Sequence, residues 1–429
     1  MGGAPTMAAS VHLLALLLLV SHGDQPSLLR VTPDRVPDGP FGITEPGRAP
    51  IPEKNAHPLH ILWQRPLPPE SVHAWRQPER ATPLIRQDDV IVGTSRASGL
   101  FVFERQTGAL LKRIPTAGPV EAPIQQLDPS GDLIFGDTAG FVYRMTPSGT
   151  VRWKHESIGP VVDACTAGHG KVLYRAVDGS LVALDLETGE TLWTYRRGPR
   201  YRPGLAIFGA SVPVFTPNGA IVAGFSDGTV VALRQEDGAL KWDRRISAGE
   251  RWTDVDTQPV LLQDNRIVVA AYLGPTACIQ ADTGEELWRV DSVGAEGRPL
   301  VKNNTIYLST TNGAVLALAA ANGHRVWRFE LPDGRIATSP TWWRRHLLVG
   351  DVRGQIHIID PVTGEERWYS RFDTVITGFS GALAADESLV FGVSDGGWVY
   401  AFAPDDFIPT PTPSRRDDWQ SLWAGPDQP

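Results

Sequence analysis

Between residues 59 and 404 apolar and polar positions alternate with a period of two, in short runs broken by Gly, Pro, Asp and Asn. A period of two predicts β-strands and the regular breaks predict tight turns, whereas an amphipathic helix would repeat every 3.6 residues. The runs also recur. In DGSLVALDLETGETLW, from Asp178 to Trp193, alternating apolar residues lead into Thr-Gly, and a Trp stands four residues beyond the Gly. That Gly returns at Gly108, Gly149, Gly189, Gly238, Gly284, Gly323 and Gly364, and the position four later holds Lys112, Trp153, Trp193, Trp242, Trp288, Trp327 and Trp368. Successive copies lie 41, 40, 49, 46, 39 and 41 residues apart. Such a period, about 40–45 residues, is that of four-stranded propeller blades.

A second landmark opens each unit, at Pro83, Pro123, Cys165, Pro213, Pro259, Pro299, Pro340 and Gly381, so eight blades are expected. The eighth unit ends at GGWVYAF, just before Pro404, and has no Trp strand of its own. At the other end Ile61-Leu62-Trp63-Gln64-Arg65 carries the outer-strand pattern without a unit around it. Pairing the two ends removes the open edges that a sheet would otherwise expose. The expected fold is all-β: an eight-bladed β-propeller of four-stranded antiparallel blades over residues 59–404, its ring closed by the N-terminal strand. The repeated Gly suits a turn with positive φ between the last two strands of a blade. Trp63, Trp153, Trp193, Trp242, Trp288, Trp327 and Trp368 are expected to fill the wedge between blades and to serve structure, not ligand stacking. Cys165 takes a Pro seat and Cys278 a seat held by Ala183, Ala232 and Ala317 elsewhere. They fall in non-neighbouring blades, too far apart for a disulfide.

Outside the repeat, residues 13–20 read LLALLLLV, too short to span a bilayer but the length of a signal-peptide apolar region, with Ser21-His22-Gly23 as a small-x-small cleavage site. Residues 1–23 are expected to be a signal peptide, 24–58 a Pro-rich tether and 405–429 a Pro-rich, polar tail. A hydrophobic content of 42% excludes wholesale disorder, and 2 Cys exclude a disulfide-stapled scaffold. With 48 Asp and Glu against 40 Lys and Arg there is no basic surplus for nucleic acid. The chain has no nucleophile elbow, HExxH zinc motif or phosphate-binding loop, and its ten His show no ligand spacing. No catalytic residue, metal or cofactor is expected, and no enzyme.

The phrase A-x-D-x-x-T-G-x-x-x-W, with Ala183, Asp185, Thr188, Gly189 and Trp193, resembles the repeat of quinoprotein dehydrogenases and their non-enzymatic relatives. Those enzymes stack a quinone on adjacent Cys residues, and no two Cys are adjacent here. A finer resemblance runs from Leu205 to Trp288, through LAIFGASVPVFTPNGAIVAGFSDGTVVAL, RWTDVDTQPV and TGEELW. It is similar to BamB, the propeller subunit of the bacterial outer-membrane β-barrel assembly machinery. Asp254-Val255-Asp256-Thr257-x-Pro259 is its most specific part, because it departs from the generic repeat. What the resemblance implies is a non-enzymatic scaffold, monomeric within a complex, that binds the barrel-inserting subunit. Nascent outer-membrane proteins are a further implied partner, through free strand edges. The contact residues it implies are Leu205, Ile207, Asp254 and Asp256, with Gly209 closing the first string; where that family has Arg, Phe208 stands. The resemblance also implies a lipidated Cys after the apolar run, but the first Cys is Cys165. An exported, periplasmic protein held at the outer membrane through its partner is therefore expected, with no span of its own.

Loop lengths point to the same region. Each outer Trp strand is followed by a connection to the next blade, and these connections all fall on one face. Most span 11 to 13 residues from the Trp position to the next unit start, but those from 193 to 213, 242 to 259 and 63 to 83 span 20, 17 and 20. The first two follow one another. They carry Arg196, Arg197, Arg200, Tyr201, Arg202, Leu205, Ile207 and Phe208, then Glu250, Arg251, Trp252, Asp254 and Asp256. Aromatic and Arg anchors among polar residues suit a protein-binding patch, with Leu205, Ile207, Phe208, Arg251, Asp254 and Asp256 as its candidates. A second role stays open for the two Asp: bonding local backbone amides where a strand starts. Two other functions stay open as well, an exported propeller that binds another protein or a glycan, and a pyrroloquinoline-quinone dehydrogenase.

Overall fold

A computed structural model describes residues 59–67, 78–197, 211–247, 254–255, 257–291, 293–370, 372 and 376–409. The strands form eight four-stranded antiparallel sheets, and each sheet is one blade. Blades 1 to 7 follow in order, over 84–119, 125–156, 166–195, 214–245, 260–290, 295–330 and 341–369. Blade 8 takes Ala384–Ala385, Val390–Ser394 and Trp398–Pro404 from one end of the repeat and β1 (Leu59–Pro66) from the other. β1 runs antiparallel to Trp398–Pro404, from Leu59 opposite Pro404 to Pro66 opposite Trp398, with a register shift between Ile61 and Trp63. The ring therefore closes by pairing the first strand with the last.

Each sheet is covered on both faces by its neighbours, so the second and third strands are buried throughout, as in Ala220–Gly224 and most of Thr229–Arg234. The period of two survives as exposure mainly in outer strands such as Thr191–Tyr195. Side chains of adjacent blades share cores: Val222, Val230 and Ala232 of blade 4 meet Ile267, Val269 and Ile279 of blade 5. Cys165 and Cys278 are buried in two different cores as free thiols, and burial pushes them up to about 12 and about 11.

The repeated Trp and Gly belong to one contact that joins consecutive blades. Trp63, Trp153, Trp193, Trp242, Trp288 and Trp327 each lie over the turn Gly of the next blade: Gly108, Gly189, Gly238, Gly284, Gly323 and Gly364. A Cβ on any of these glycines would sit 2.5–2.7 Å from the ring, and φ there is 69–75°. Both facts select Gly. Each indole N–H donates over 2.8–3.2 Å to the carbonyl three residues before that Gly, at Arg105, Leu186, Gln235, Ala281, Ala320 and Pro361. Two seams differ. Where Lys112 replaces Trp, Ile114 packs on Gly149 and the Lys112 ammonium donates to the Pro147 carbonyl instead. Trp368 faces a blade whose outer strand comes from the far end of the chain; it packs in a core with Leu59, Ile61, Phe372 and Phe402.

The closing seam is bonded at both ends. On one side Trp63 covers Gly108, and the Arg65 guanidinium donates to the carbonyls of Gly108 and Thr107. On the other, the buried Glu79 carboxylate accepts from the Thr94 hydroxyl, the Ser95 amide and Arg96, while the Glu79 amide donates to Asp395 of blade 8. Trp63→Ala should therefore lower the melting temperature by more than Trp368→Ala, because only Trp63 holds both the ring closure and a Gly seat. Removing residues 59–67 should go further and cause self-association through the bared edge, read by calorimetry and light scattering.

A buried charged group joins blades 6 and 7. Arg335, from the connection between them, lies 3.1 Å from Asp351, and the fully buried His357 sits 3.5 Å from Asp351 and 2.6 Å from Glu366. Burial alone would push the Asp351 carboxyl up, yet bonds from His357, the Gln355 amide and Arg335 hold it down at about 2. Burial would likewise lower His357, and its bonds to Asp351 and Glu366 reverse that and raise it. A His raised in the folded state contributes stability that is full below its unfolded value of about 6.5 and is lost as pH rises through the folded value. From about pH 6 to about pH 9 the wild type should lose more melting temperature than His357→Gln, measured in parallel scans.

Candidate functional site

In a sheet of four antiparallel strands, the turn between the second and third strands lies at the same end as the connection to the next blade. One face of the ring thus carries all these connections, and the Thr-Gly turns lie on the opposite face. Of the six sequence-derived candidates, Leu205, Ile207, Phe208, Arg251 and Asp256 lie outside the described residues, as do Arg200, Tyr201, Arg202, Glu250 and Trp252. Asp254 is described, and it lies on this connection face between blades 4 and 5.

The surroundings of Asp254 show what its side chain does within the fold. Its main-chain carbonyl accepts from the Tyr272 amide at 2.9 Å, and Val255 beside it is buried in the core between blades 4 and 5. The strand start is clasped by a different residue: the Thr257 hydroxyl donates to the Ala270 carbonyl at 2.8 Å and accepts from the Ala270 amide at 3.0 Å. Among the described residues the half-buried Asp254 carboxylate bonds only its own backbone amide, and no cation pairs with it. Burial therefore raises its pKa, with the amide opposing.

Two Arg at the start of the blade 3 connection are already engaged. Arg197 bonds Asp227 at 2.5 Å and the Thr229 hydroxyl at 3.0 Å, and lies 3.5 Å from Asp243, so it pins the blade 3 connection onto blade 4. Arg196 lies 3.5 Å from Asp178 on the surface. Apolar exposure on the same face was not evident from motif reading. Ile158 and Val177 are exposed at blade 3, and Leu273 is exposed at blade 5 in the turn that begins with Tyr272. Laying the repeats side by side could have singled out Leu273, because its counterparts are small or polar.

Other parts of the molecule carry charge without an open arrangement for chemistry. Near the start of blades 2 and 3, burial raises the carboxyls of Glu121 and Asp163, the latter to about 6, with Arg80 opposing both. Among the described residues no group of three His, Cys, Asp or Glu is placed to hold a metal ion. A cleft of about 410 Å³ on the opposite face is lined by Gln87, Arg105, Arg344, Ser388 and Phe407. Its two Arg are committed, Arg105 to Asp386 and Arg344 to Asp406.

The fold and the sequence have known relatives. Among solved structures, BamB from Moraxella catarrhalis superposes with a TM-score of 0.67 at 19% identity, covering 80% of this chain and 99% of that one. A europium-containing methanol dehydrogenase gives 0.64 at 13% identity, over 82% and 94%. At such identities the likeness is one of fold alone. In sequence, the chain is 29% identical over 283 residues to the outer membrane protein assembly factor BamB of Yersinia pestis, covering 64% of this chain and 70% of that protein. For the protein of the same name from Escherichia coli strain K12 the values are 33% over 202 residues, 45% and 50%. The family described as outer membrane protein assembly factor BamB matches residues 127–329 and 312–428, most of the repeat from the second blade onward. By that match the chain belongs to the BamB family.

Proposed function

We propose that this protein is a non-enzymatic scaffold in outer membrane protein assembly, and that the connection face between blades 3, 4 and 5 binds the barrel-inserting subunit. One observation carries the reading: Asp254 holds a half-buried carboxylate on that face with no cation among the described residues, while Thr257 does the local structural work. A carboxylate left in this state gains by meeting a Lys or Arg from outside, and such a contact adds both affinity and register. Leu205, Ile207, Phe208, Arg251 and Asp256 are proposed to complete the patch from the two long connections. The relatives' name places them in outer membrane protein assembly, and for this chain that role is the proposal. Residues 1–23 act as the export signal and 24–58 as a tether, leaving the propeller on the periplasmic side. No helix among the described residues is long and apolar enough to cross a membrane, and attachment to the outer membrane is proposed to come through the partner. The outer strand of each blade has a free edge, to which an extended nascent chain can add.

Asp254→Asn should weaken capture of the purified barrel-inserting subunit about tenfold or more in surface plasmon resonance, with circular dichroism and melting unchanged. Glu190→Ala, beside the Gly189 turn on the opposite face, should bind as the wild type does. Equal loss from both variants, or unfolding by Asp254→Asn alone, would refute the interface.

A further inference from the structure

One position shared by blades 2 to 8 carries a single large, exposed apolar residue on that face. The turn between the second and third strands ends in Gly in blades 2 to 8, and the residue before this Gly is Ala139, Asp178, Asp227, Leu273, Asn312, Arg353 and Gly396 in order. Small or polar residues fit such a turn. Asp178 accepts from the Ser180 amide at 2.9 Å, and Asp227 from the Thr229 amide at 3.1 Å, each satisfying a donor at the start of the third strand. Leu273 makes no such bond and is 55% exposed, so it caps no amide and leaves more than half of its surface to solvent. A position that breaks the rule of its own repeat without helping stability marks function.

The turn around Leu273 is also held differently. In blades 2, 3, 4, 6, 7 and 8 the Gly amide donates to the carbonyl three residues earlier, at Asp137, Ala176, Phe225, Thr310, Asp351 and Ser394. Blade 5 shows no such Gly bond, but its Tyr272 amide donates to the Asp254 carbonyl as the matching amides of blades 2, 6, 7 and 8 donate to Pro119, Gly294, Ile336 and Gly378, which ties the Leu273 turn to the segment carrying the Asp254 carboxylate. Gly274 is seated against Ala271 and Ser247, and Gly294 lies so close to the Tyr272 carbonyl that an added Cβ would sit 1.9 Å from it. The exposed leucine thus stands on a fixed support next to Asp254.

We propose that Leu273 is an apolar anchor of the partner interface, and that it and Asp254 together receive one protein segment presenting a Lys or Arg beside an apolar side chain. The charge argues for this occupant: a half-buried carboxylate with no cation among the described residues is suited to a cation from a partner, and a cation with a neighbouring apolar group satisfies both residues at once. This rests on the reading that the barrel-inserting subunit binds this face. Leu273→Asn, which installs the residue blade 6 uses, should weaken capture of that subunit about tenfold with no fall in melting temperature, because Leu273 packs little. Combined with Asp254→Asn, the loss should be less than the product of the two single effects, since one segment contacts both. Wild-type protein that does not bind the subunit would defeat the parent reading. Wild-type binding matched by Leu273→Asn would overturn the anchor alone, as would a lowered melting temperature, which would mean a packing role. If phosphatidylglycerol vesicles sediment the wild type but not Leu273→Asn, and subunit capture is unchanged, the leucine serves lipid and the proposal falls.

Discussion

An indole ring lying on a glycine of the next blade is the contact on which the ring depends. The glycine is required twice over, by its positive φ and by the ring that occupies the place of a Cβ. The indole N–H bond to the carbonyl three residues earlier then fixes the Trp in the same orientation at six seams. A large aromatic surface and a satisfied donor act together, so each blade is positioned by the one before it. Because the contact runs from one blade to the next, it sets a repeat of about 40 residues and leaves the connections free to vary in length.

Closure uses the same contact with a different source for one partner. β1 supplies Trp63 to Gly108 and completes blade 8 by pairing with Trp398–Pro404, so the two ends of the repeat share one sheet. The polar group around Glu79 adds a second fastening on the connection face, joining blades 1 and 8 through Arg96 and Asp395. Trp368 shows the cost of the arrangement. Blade 8 has no turn between its last two strands, because those strands come from opposite ends of the chain, and so this Trp has no glycine seat and enters a mixed aromatic core instead.

A rigid ring lets the connection face hold groups that the fold itself does not use. Thr257 clasps the strand start, Arg197 pins the neighbouring connection, and Asp254 is left with a carboxylate partly withdrawn from water. Leu273 stands beside it on a turn held by the Asp254 main chain. Without the scaffold, such a pair would relax toward solvent or toward each other's backbone; on it, they keep their spacing and exposure.

The period-two pattern, the Gly-to-Trp offset of four and the missing outer strand of the eighth unit were enough to determine an all-β, eight-bladed ring closed by β1. These features are legible because they arise from local geometry, strand pleat and turn conformation, repeated many times. That the Trp seeks the next blade's glycine, and not merely a wedge of space, came only from the tertiary structure, since no local rule links residues some 40 positions apart. The site divides in the same way. Sequence singled out Asp254 by its motif but left two roles open for it; in the folded chain Thr257 makes the strand-start clasp, and among the described residues no cation pairs with the Asp254 carboxylate. Leu273 was passed over in sequence because one leucine in an apolar-rich repeat carries no signal by itself. Aligning the repeats shows that the other blades place small or polar residues at its position, and the packed ring adds that its side chain is exposed.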